Sequence, residues 1–202
     1  MHASSFVATV IENRPLAPHT FVLKLGGCAA LDRTLPGQFV MMRGEWGRDP
    51  LLPRAFSLLT VEGGGVVTVL IKTVGRGTAL FEQTPAGAKL SVLGPLGNAF
   101  PAPAADRHDL LVAGGVGLAP IIMQARAAVA AGLGANAEII YGARSAADLV
   151  LGDELAALGV RTHLTTDDGS RGTPGRVTVK LAERLAALRA EGRPLPTTLA
   201  CG

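Results

Sequence analysis

The stretch Leu110-Leu111-Val112-Ala113-Gly114-Gly115-Val116-Gly117-Leu118-Ala119-Pro120 decides how the second half of this chain is read. Its first four residues are apolar and read as a buried strand. Three glycines follow within four positions, and then a helix-compatible run, IIMQARAAVAA, begins. Strand, glycine turn and helix start make a cradle for an anion. Glycine lets the backbone turn tightly and lets a ligand approach it, and the first amides of a helix point outward with a positive dipole.

The glycine spacing is that of the dinucleotide fingerprint G-x-G-x-x-G, except that Pro120 stands where the third glycine belongs. Proline is tolerated in a first helical turn, where a missing N–H breaks no bond. The departure argues against an ordinary dehydrogenase and for another class of nucleotide binder.

Outward from this stretch the rhythm is strand then helix. Strands are expected at Asp109–Ala113, Ala137–Tyr141, Val160–Thr165 and Thr197–Ala200. Helices are expected near Gly117–Ala131, Gly152–Leu158 and Val177–Arg189. Such alternation predicts a doubly wound parallel sheet with helices on both faces. The chain stops at Cys201-Gly202, directly after a strand, so the α/β domain is expected to be incomplete at its C-terminus. The first hundred residues differ. SFVATVIEN, HTFVLKLG, QFVMMR, AFSLLTV, GVVTVLIKTV and AKLSVLG are short apolar runs between Pro, Gly and Asn/Asp clusters. They predict an antiparallel β-barrel, with one short helix at Thr78–Gln83. Pro101 to Asp106 reads as a linker. The expected domains are 1–102, a barrel, and 103–202, an α/β domain.

Composition narrows the class. The 202 residues are 48% hydrophobic and 17% charged, which favours a folded core over disorder. Net charge is +3, and no run of five or six basic residues occurs, so nucleic acid is not an expected partner. The most apolar region, Leu110–Ala131, is broken by glycines, a proline, Gln124 and Arg126 and falls short of a membrane span. No signal peptide is read at the N-terminus. Cys28 and Cys201 give no disulfide framework, and a cytoplasmic location is expected.

Two further stretches carry site chemistry. In Arg54-Ala55-Phe56-Ser57, alternation puts Arg54 and Phe56 on one face of a strand. An arginine can clamp a diphosphate through paired hydrogen bonds, an aromatic can pack on a flat ring, and a hydroxyl can meet a ring heteroatom. Taken alone, R-x-x-S equally describes a strand with a surface arginine. In Leu70-Ile71-Lys72-Thr73-Val74-Gly75-Arg76-Gly77-Thr78, a strand runs through G-x-G into a helix start that Thr78 is expected to cap. Taken alone, this too is a plain tight turn. The adjacent carboxylates Asp167 and Asp168 lack further ligand spacing for a metal and read as a loop turn. His2, His19, His108 and His163 are isolated and receive no role.

The order of Arg54–Ser57, Gly75–Thr78 and Gly114–Pro120 resembles that of the ferredoxin reductase-like flavoproteins, over almost the whole chain. A narrower resemblance rests on Gly94-Pro95-Leu96-Gly97-Asn98-Ala99-Phe100, Tyr141-Gly142-Ala143-Arg144, Thr166-Asp167-Asp168-Gly169-Ser170 with Gly172 and Gly175, and Cys201-Gly202. These resemble the branch that holds the electron-transfer subunit of dihydroorotate dehydrogenase type B. The same branch holds the small subunits of sulfide dehydrogenase and of NADH-dependent ferredoxin:NADP oxidoreductase. Ala55-Phe56 departs from that branch, which often has proline and an aliphatic residue there.

The resemblance implies an FAD-binding barrel and an NAD(P)-binding α/β domain. It implies that Arg54, Gly75, Gly77 and Thr78 hold the FAD diphosphate end. Ala55, Phe56, Ser57, Leu70, Ile71 and Lys72 would lie along the flavin, and Gly114, Gly115, Gly117 and Pro120 would receive NAD(H) or NADP(H). Ser57 and Cys201 would stand near the flavin and nicotinamide, with no side chain certain as catalyst. It implies hydride transfer to flavin and onward electron transfer to the FMN-carrying dihydroorotate dehydrogenase catalytic subunit, in a heterotetramer serving pyrimidine biosynthesis. A [2Fe–2S] cluster is implied by resemblance only: in that branch a four-cysteine site follows the motif that Cys201-Gly202 begins, beyond the visible chain, and no metal site is visible in the chain itself. The other two complexes of the branch, and a nucleotide-responsive binding module without turnover, are the alternatives.

Overall fold

The apolar runs of the first hundred residues become six antiparallel strands. They are β1 (Ser4–Ala17), β2 (Thr20–Gly26), β3 (Phe39–Gly44), β4 (Arg54–Gly63), β5 (Val66–Lys72) and β6 (Lys89–Leu96). The computed structural model describes residues 3–47 and 49–202. The strands close into a barrel in the order β1-β2-β5-β4-β3-β6. Alternation explains the closure. Ala8, Val10, Leu23, Leu25, Val40, Met42, Leu58, Val67, Val69, Leu90 and Val92 are all buried. Burying such side chains contributes about 1.5–3 kcal/mol each.

A seven-residue helix, α1 (Arg76–Glu82), caps the barrel. It is too short to be stable alone and is held at three points. Phe81 is fully buried, edge-on to Phe56 (5.1 Å) and to Trp46 (4.6 Å). At its end, Asn13 Nδ2 lies within hydrogen-bond reach of the carbonyls of Phe81 (3.1 Å), Glu82 (2.9 Å) and Thr84 (2.9 Å). At its start, Thr78 Oγ1 accepts from the amides of Val74 (2.9 Å) and Gly75 (3.1 Å).

The second half forms a parallel sheet in the order β10-β9-β8-β7-β11. Its strands are β7 (Asp109–Gly114), β8 (Ala137–Ala143), β9 (Arg161–Thr166), β10 (Thr173–Pro174) and β11 (Thr197–Cys201). The helices are α2 (Leu118–Ala130), α3 (Gly152–Ala157) and α4 (Val177–Ala190). Arg126 on α2 and Glu154 on α3 meet at 2.6 Å, which places both helices on one face. On β8, Glu138 meets Arg184 of α4, and a Cβ on Gly142 would stand 2.5 Å from Val177 of α4. Glu138 and Gly142 share a strand face, so α4 covers the opposite side. The chain divides into two compact units, Met1–Ala99 and Phe100–Gly202. No helix among the described residues is long and apolar enough to cross a membrane.

Candidate functional site

The barrel has a gap in its wall. The ladder between β4 and β5 begins at Leu58↔Val69 and continues through Gly63↔Val66. Before Leu58, residues Arg54 to Ser57 pair only with β3, from Met42↔Arg54 to Phe39↔Ser57. Beyond Val69, Leu70 and Ile71 pair only with β2, at Val22 and Phe21. The two strands splay, and each turns an open edge of backbone donors and acceptors toward the other. A flat polar ring can enter such a seam and take hydrogen bonds from both edges.

Arg54 stands at one end of this seam. Its guanidinium donates to the Leu52 carbonyl and lies directly over Gly77. A Cβ on Gly77 would stand 2.7 Å from Arg54 Nε and 2.8 Å from Nη2. The R-x-x-S and G-x-G-T motifs are thus one site. A fixed guanidinium lies over the first turn of α1, whose amides have no acceptor within the helix. Gly75 faces open space.

Four residues sit differently from their sequence reading. Thr78 is not the residue that caps α1. The helix begins two residues earlier, at Arg76, with Gly75 as its cap, and Thr78 reaches back from the first turn. Phe56 is only 9% exposed and packs on Phe81 within the barrel, because Phe81 offers an aromatic edge on the inward face. Leu70 and Ile71 are likewise buried. What Phe56, Leu70 and Ile71 offer a ligand is backbone. Ser57 is half-buried, and Ala55 is exposed at the seam. Sequence reasoning missed Asn13 and Trp46. A lone Asn before a Pro-containing turn gave no hint that it would tie down a helix far along the chain.

The second cradle lies in the α/β unit. Gly115 has φ +51, and a side chain there would meet nothing within 4 Å, so its outer face is open. Gly117 is the reverse. A Cβ there would stand 2.6 Å from the Gly202 amide nitrogen and nearer still to the Cys201 carbonyl, so only hydrogen fits. A Cβ on Gly114 would stand 3.5 Å from the Gly202 Cα, and Cys201 pairs with Ala113 across β11 and β7. The glycine turn and Cys201 are therefore neighbours. Pro120 is buried in the first turn of α2, where its missing N–H costs nothing. Burial pushes the Cys201 thiol pKa up.

Two loops frame this cradle, at the carboxyl ends of β8 and β9. The Asp167 and Asp168 amides donate to the carbonyls of Ala143 and Arg144, both at 3.1 Å. Asp168 Oδ1 accepts from the Ser170 hydroxyl (2.6 Å) and amide (2.9 Å), and these bonds hold its pKa below the usual carboxylate range. Asp168 is thus a turn-forming residue. Arg144, beside it, has no ion pair among the described residues.

The residues test the three groups that the sequence suggested. The seam with Arg54 and Gly77 fits a flavin nucleotide, since the Cβ-free surface at Gly77 seats the guanidinium a diphosphate needs. The open Gly115 fits a dinucleotide diphosphate. The described residues do not by themselves supply a [2Fe–2S] site. The chain has two cysteines, against four thiolates for such a site. Cys28 is buried, its thiol pushed up to about 11 by burial and then by Asp32. Among the described residues no group of three or more His, Cys, Asp or Glu could hold a metal.

Comparison with known proteins agrees with this geometry. Residues 111–202 match the family described as the oxidoreductase NAD-binding domain. The dihydroorotate dehydrogenase B (NAD(+)) electron transfer subunit of Geobacillus kaustophilus is 40% identical over 173 residues, covering 84% of this chain and 66% of that protein. The subunit of the same name from Enterococcus faecalis is 34% identical over the whole chain and 75% of its own length. The chain spans about two thirds of the length of the curated relatives it matches. Among solved structures, the ferredoxin reductase in carbazole 1,9a-dioxygenase superposes with a TM-score of 0.80 at 24% identity, covering 99% of this chain and 69% of that one. That likeness shows the fold. The NADH-dependent reduced ferredoxin-NADP oxidoreductase structure superposes with a TM-score of 0.76 at 26% identity, covering 91% and 63%. With the barrel, the parallel sheet and the two cradles in place, the chain belongs to the family of dihydroorotate dehydrogenase B electron transfer subunits.

Proposed function

We propose that this chain takes electrons from NADH onto bound FAD and passes them to a dihydroorotate dehydrogenase catalytic subunit that carries FMN. The observation that carries the reading is the seam between Arg54–Ser57 and Leu70–Ile71 with a guanidinium fixed over Gly77 at its end. Bound flavin supplies the chemistry, accepting a hydride and releasing electrons singly.

The residues of the chain bind and orient. Arg54 offers paired donors to the FAD diphosphate, and the amides of Arg76, Gly77 and Thr78 complete the anion cradle. The open edges at Ala55–Ser57 and Leu70–Ile71 present backbone groups to the ring, with Lys72 following along it, and the Ser57 hydroxyl stands beside them. Gly114, Gly115 and Gly117 receive the dinucleotide diphosphate, with Pro120 setting the start of α2. Arg144 and the Asp168 turn, in the loops after β8 and β9, would face the adenosine half. Cys201 adjoins the glycine turn and would stand near the nicotinamide. The functional domains follow as 1–102 for FAD and 103–202 for NAD(P)H. Two free cysteines suit a reducing cytoplasm.

A second reading is the small subunit of an NADH-dependent ferredoxin:NADP oxidoreductase, favoured by the 26% identity to such a structure. The test has two stages. Purified chain is titrated with FAD by fluorescence, then given NADH under anaerobic conditions while the visible flavin absorbance is followed. Saturable FAD binding and bleaching by NADH are expected. Failure to bind FAD would sink the proposal. FAD that binds but stays oxidised would favour a nucleotide-responsive module. Co-purification with a dihydroorotate dehydrogenase chain separates the first reading from the second.

A further inference from the structure

A cluster of charged groups in the second unit lies at the end of the parallel sheet away from the glycine turn. His108, just before β7, lies near Glu138 and Arg161 in the first residues of β8 and β9, with Asp109↔Ala137 and Glu138↔Arg161 in register. Arg193, just after α4, completes the group. They line a cavity of about 490 Å³, within the size range of ligand pockets. Gly134, Ala135, Ala137, Gly159 and Val160 form the rest of its wall.

The single carboxylate here is already fully engaged. Glu138, its side chain 3% exposed, takes a two-pronged bond from Arg184 (2.9 and 2.8 Å) and a third from His163 Nε2 (2.9 Å). Asp109, next to His108, is held by a second fork from Arg107 (2.6 and 3.1 Å). The donors that remain have no such partner. Arg161 Nη1 is 3.7 Å from Glu138 Oε1, beyond hydrogen-bond length, with its side chain 67% exposed. Arg193 has no carboxylate partner among the described residues, and its Nη2 only approaches His108 Nδ1 at 3.5 Å. His108 is nine-tenths buried, yet its Nε2, 3.3 Å from Glu138 Oε1, makes no well-directed hydrogen bond.

We propose that this cavity binds a phosphomonoester dianion through Arg161, Arg193 and His108. Three donor groups from separate elements converge on one space with a surplus of positive charge. A phosphate offers three oxygens to such a set, and guanidinium groups match it in pairs. The cavity is far larger than a phosphate, so the esterified group has room beside it. The site is independent of the flavin reading, since none of its residues belongs to either cradle.

His108 is the local reporter. Burial, first, and the charges of Arg193 and Arg184 push its pKa down, while Glu138 opposes them. A bound dianion would push it up. The chain is titrated with ribose 5-phosphate and with inorganic phosphate, following the His108 ring resonance, in the parent and in Arg161→Gln/Arg193→Gln. A saturable shift with a raised His108 pKa, at least tenfold weaker in the double variant at unchanged melting temperature, is expected. Response to inorganic phosphate alone would show an adventitious anion and overturn the phosphomonoester assignment. No saturable shift up to the order of 10 mM, or equal affinity in the double variant, would overturn the site.

Discussion

Replacing Gly77 by alanine should separate cofactor binding from stability. The added methyl would stand 2.7, 2.8 and 2.9 Å from Nε, Nη2 and Cζ of Arg54. Ordinary contacts are about 3.5–4.0 Å, so the guanidinium must withdraw by roughly 1 Å. The side chain is long and half-buried, so it can swing aside without moving backbone. Alanine also suits a helical position better than glycine by about 0.8–1 kcal/mol. The melting temperature should therefore hold or rise by a few degrees, at ~2–4 °C per kcal/mol for a chain of this size. FAD binding should suffer. A hydrogen bond to a charged group contributes about 1.5–3 kcal/mol, which is roughly 10- to 150-fold in Kd. Fluorescence titration of FAD and a thermal melt on the same preparation read both quantities. An FAD affinity within about twofold of the parent would refute the pairing of Arg54 with the diphosphate.

Gly117→Ala makes the opposite kind of clash, against the backbone of Cys201 and Gly202. Overpacking of about 1–3 kcal/mol should lower the melting temperature by roughly 2–12 °C, with slower flavin bleaching by NADH. Asn13→Ala removes the side chain that ties three carbonyls at the end of α1. A loss of about 1–3 kcal/mol by denaturant titration is expected, together with weaker FAD binding. Acid should destabilise the second unit in two stages. Burial and nearby arginines lower the His108 pKa from 6.5, so stability falls as pH drops through 6.5, where the unfolded state binds the proton first. Glu138 follows. Burial alone would raise its pKa, but Arg184 and His163 bring it from 4.5 to about 2. Its contribution, about 3 kcal/mol, is present above 4.5 and lost as pH falls toward 2. Glu138→Gln should abolish that acid limb and destabilise by about 3–5 kcal/mol at neutral pH, by leaving Arg184 unpaired. An unchanged acid limb in circular-dichroism melts would contradict this.

Strands and helices were legible because their apolar residues keep one period over enough positions, as in Val66–Ile71 or Leu118–Ala128. Two-residue β10 was not, since Thr173-Pro174 carries no period. The glycine turn was legible because few other residue types allow its backbone. The seam was not. Nothing in Arg54–Ser57 or Leu70–Lys72 says where a ladder between two strands stops, because register is decided by the whole barrel. Phe56 illustrates the same limit. Alternation gave it the face it shares with Arg54, but the barrel interior took the ring while the arginine, at the strand's end, stayed outside. His108 and His163 looked isolated because Glu138, which His163 bonds and His108 only approaches, lies 30 and 25 residues away in sequence, in a strand that otherwise reads as apolar. Charge pairing at that range leaves no local mark.

The splayed edges of β4 and β5 also bear on the life of the chain before it meets a ligand. Exposed strand edges are templates for other strands, and natural proteins shield them. Here the shield would be the nucleotide itself, lying in the wall like a missing stave. A ligand that binds only the folded form adds about 2.7 kcal/mol when present at a hundred times its Kd. Newly made chain without it should self-associate edge to edge and be cut by proteases near Leu51–Ala55. Supply of the nucleotide during synthesis would then govern how much of the chain survives, as well as how fast it works.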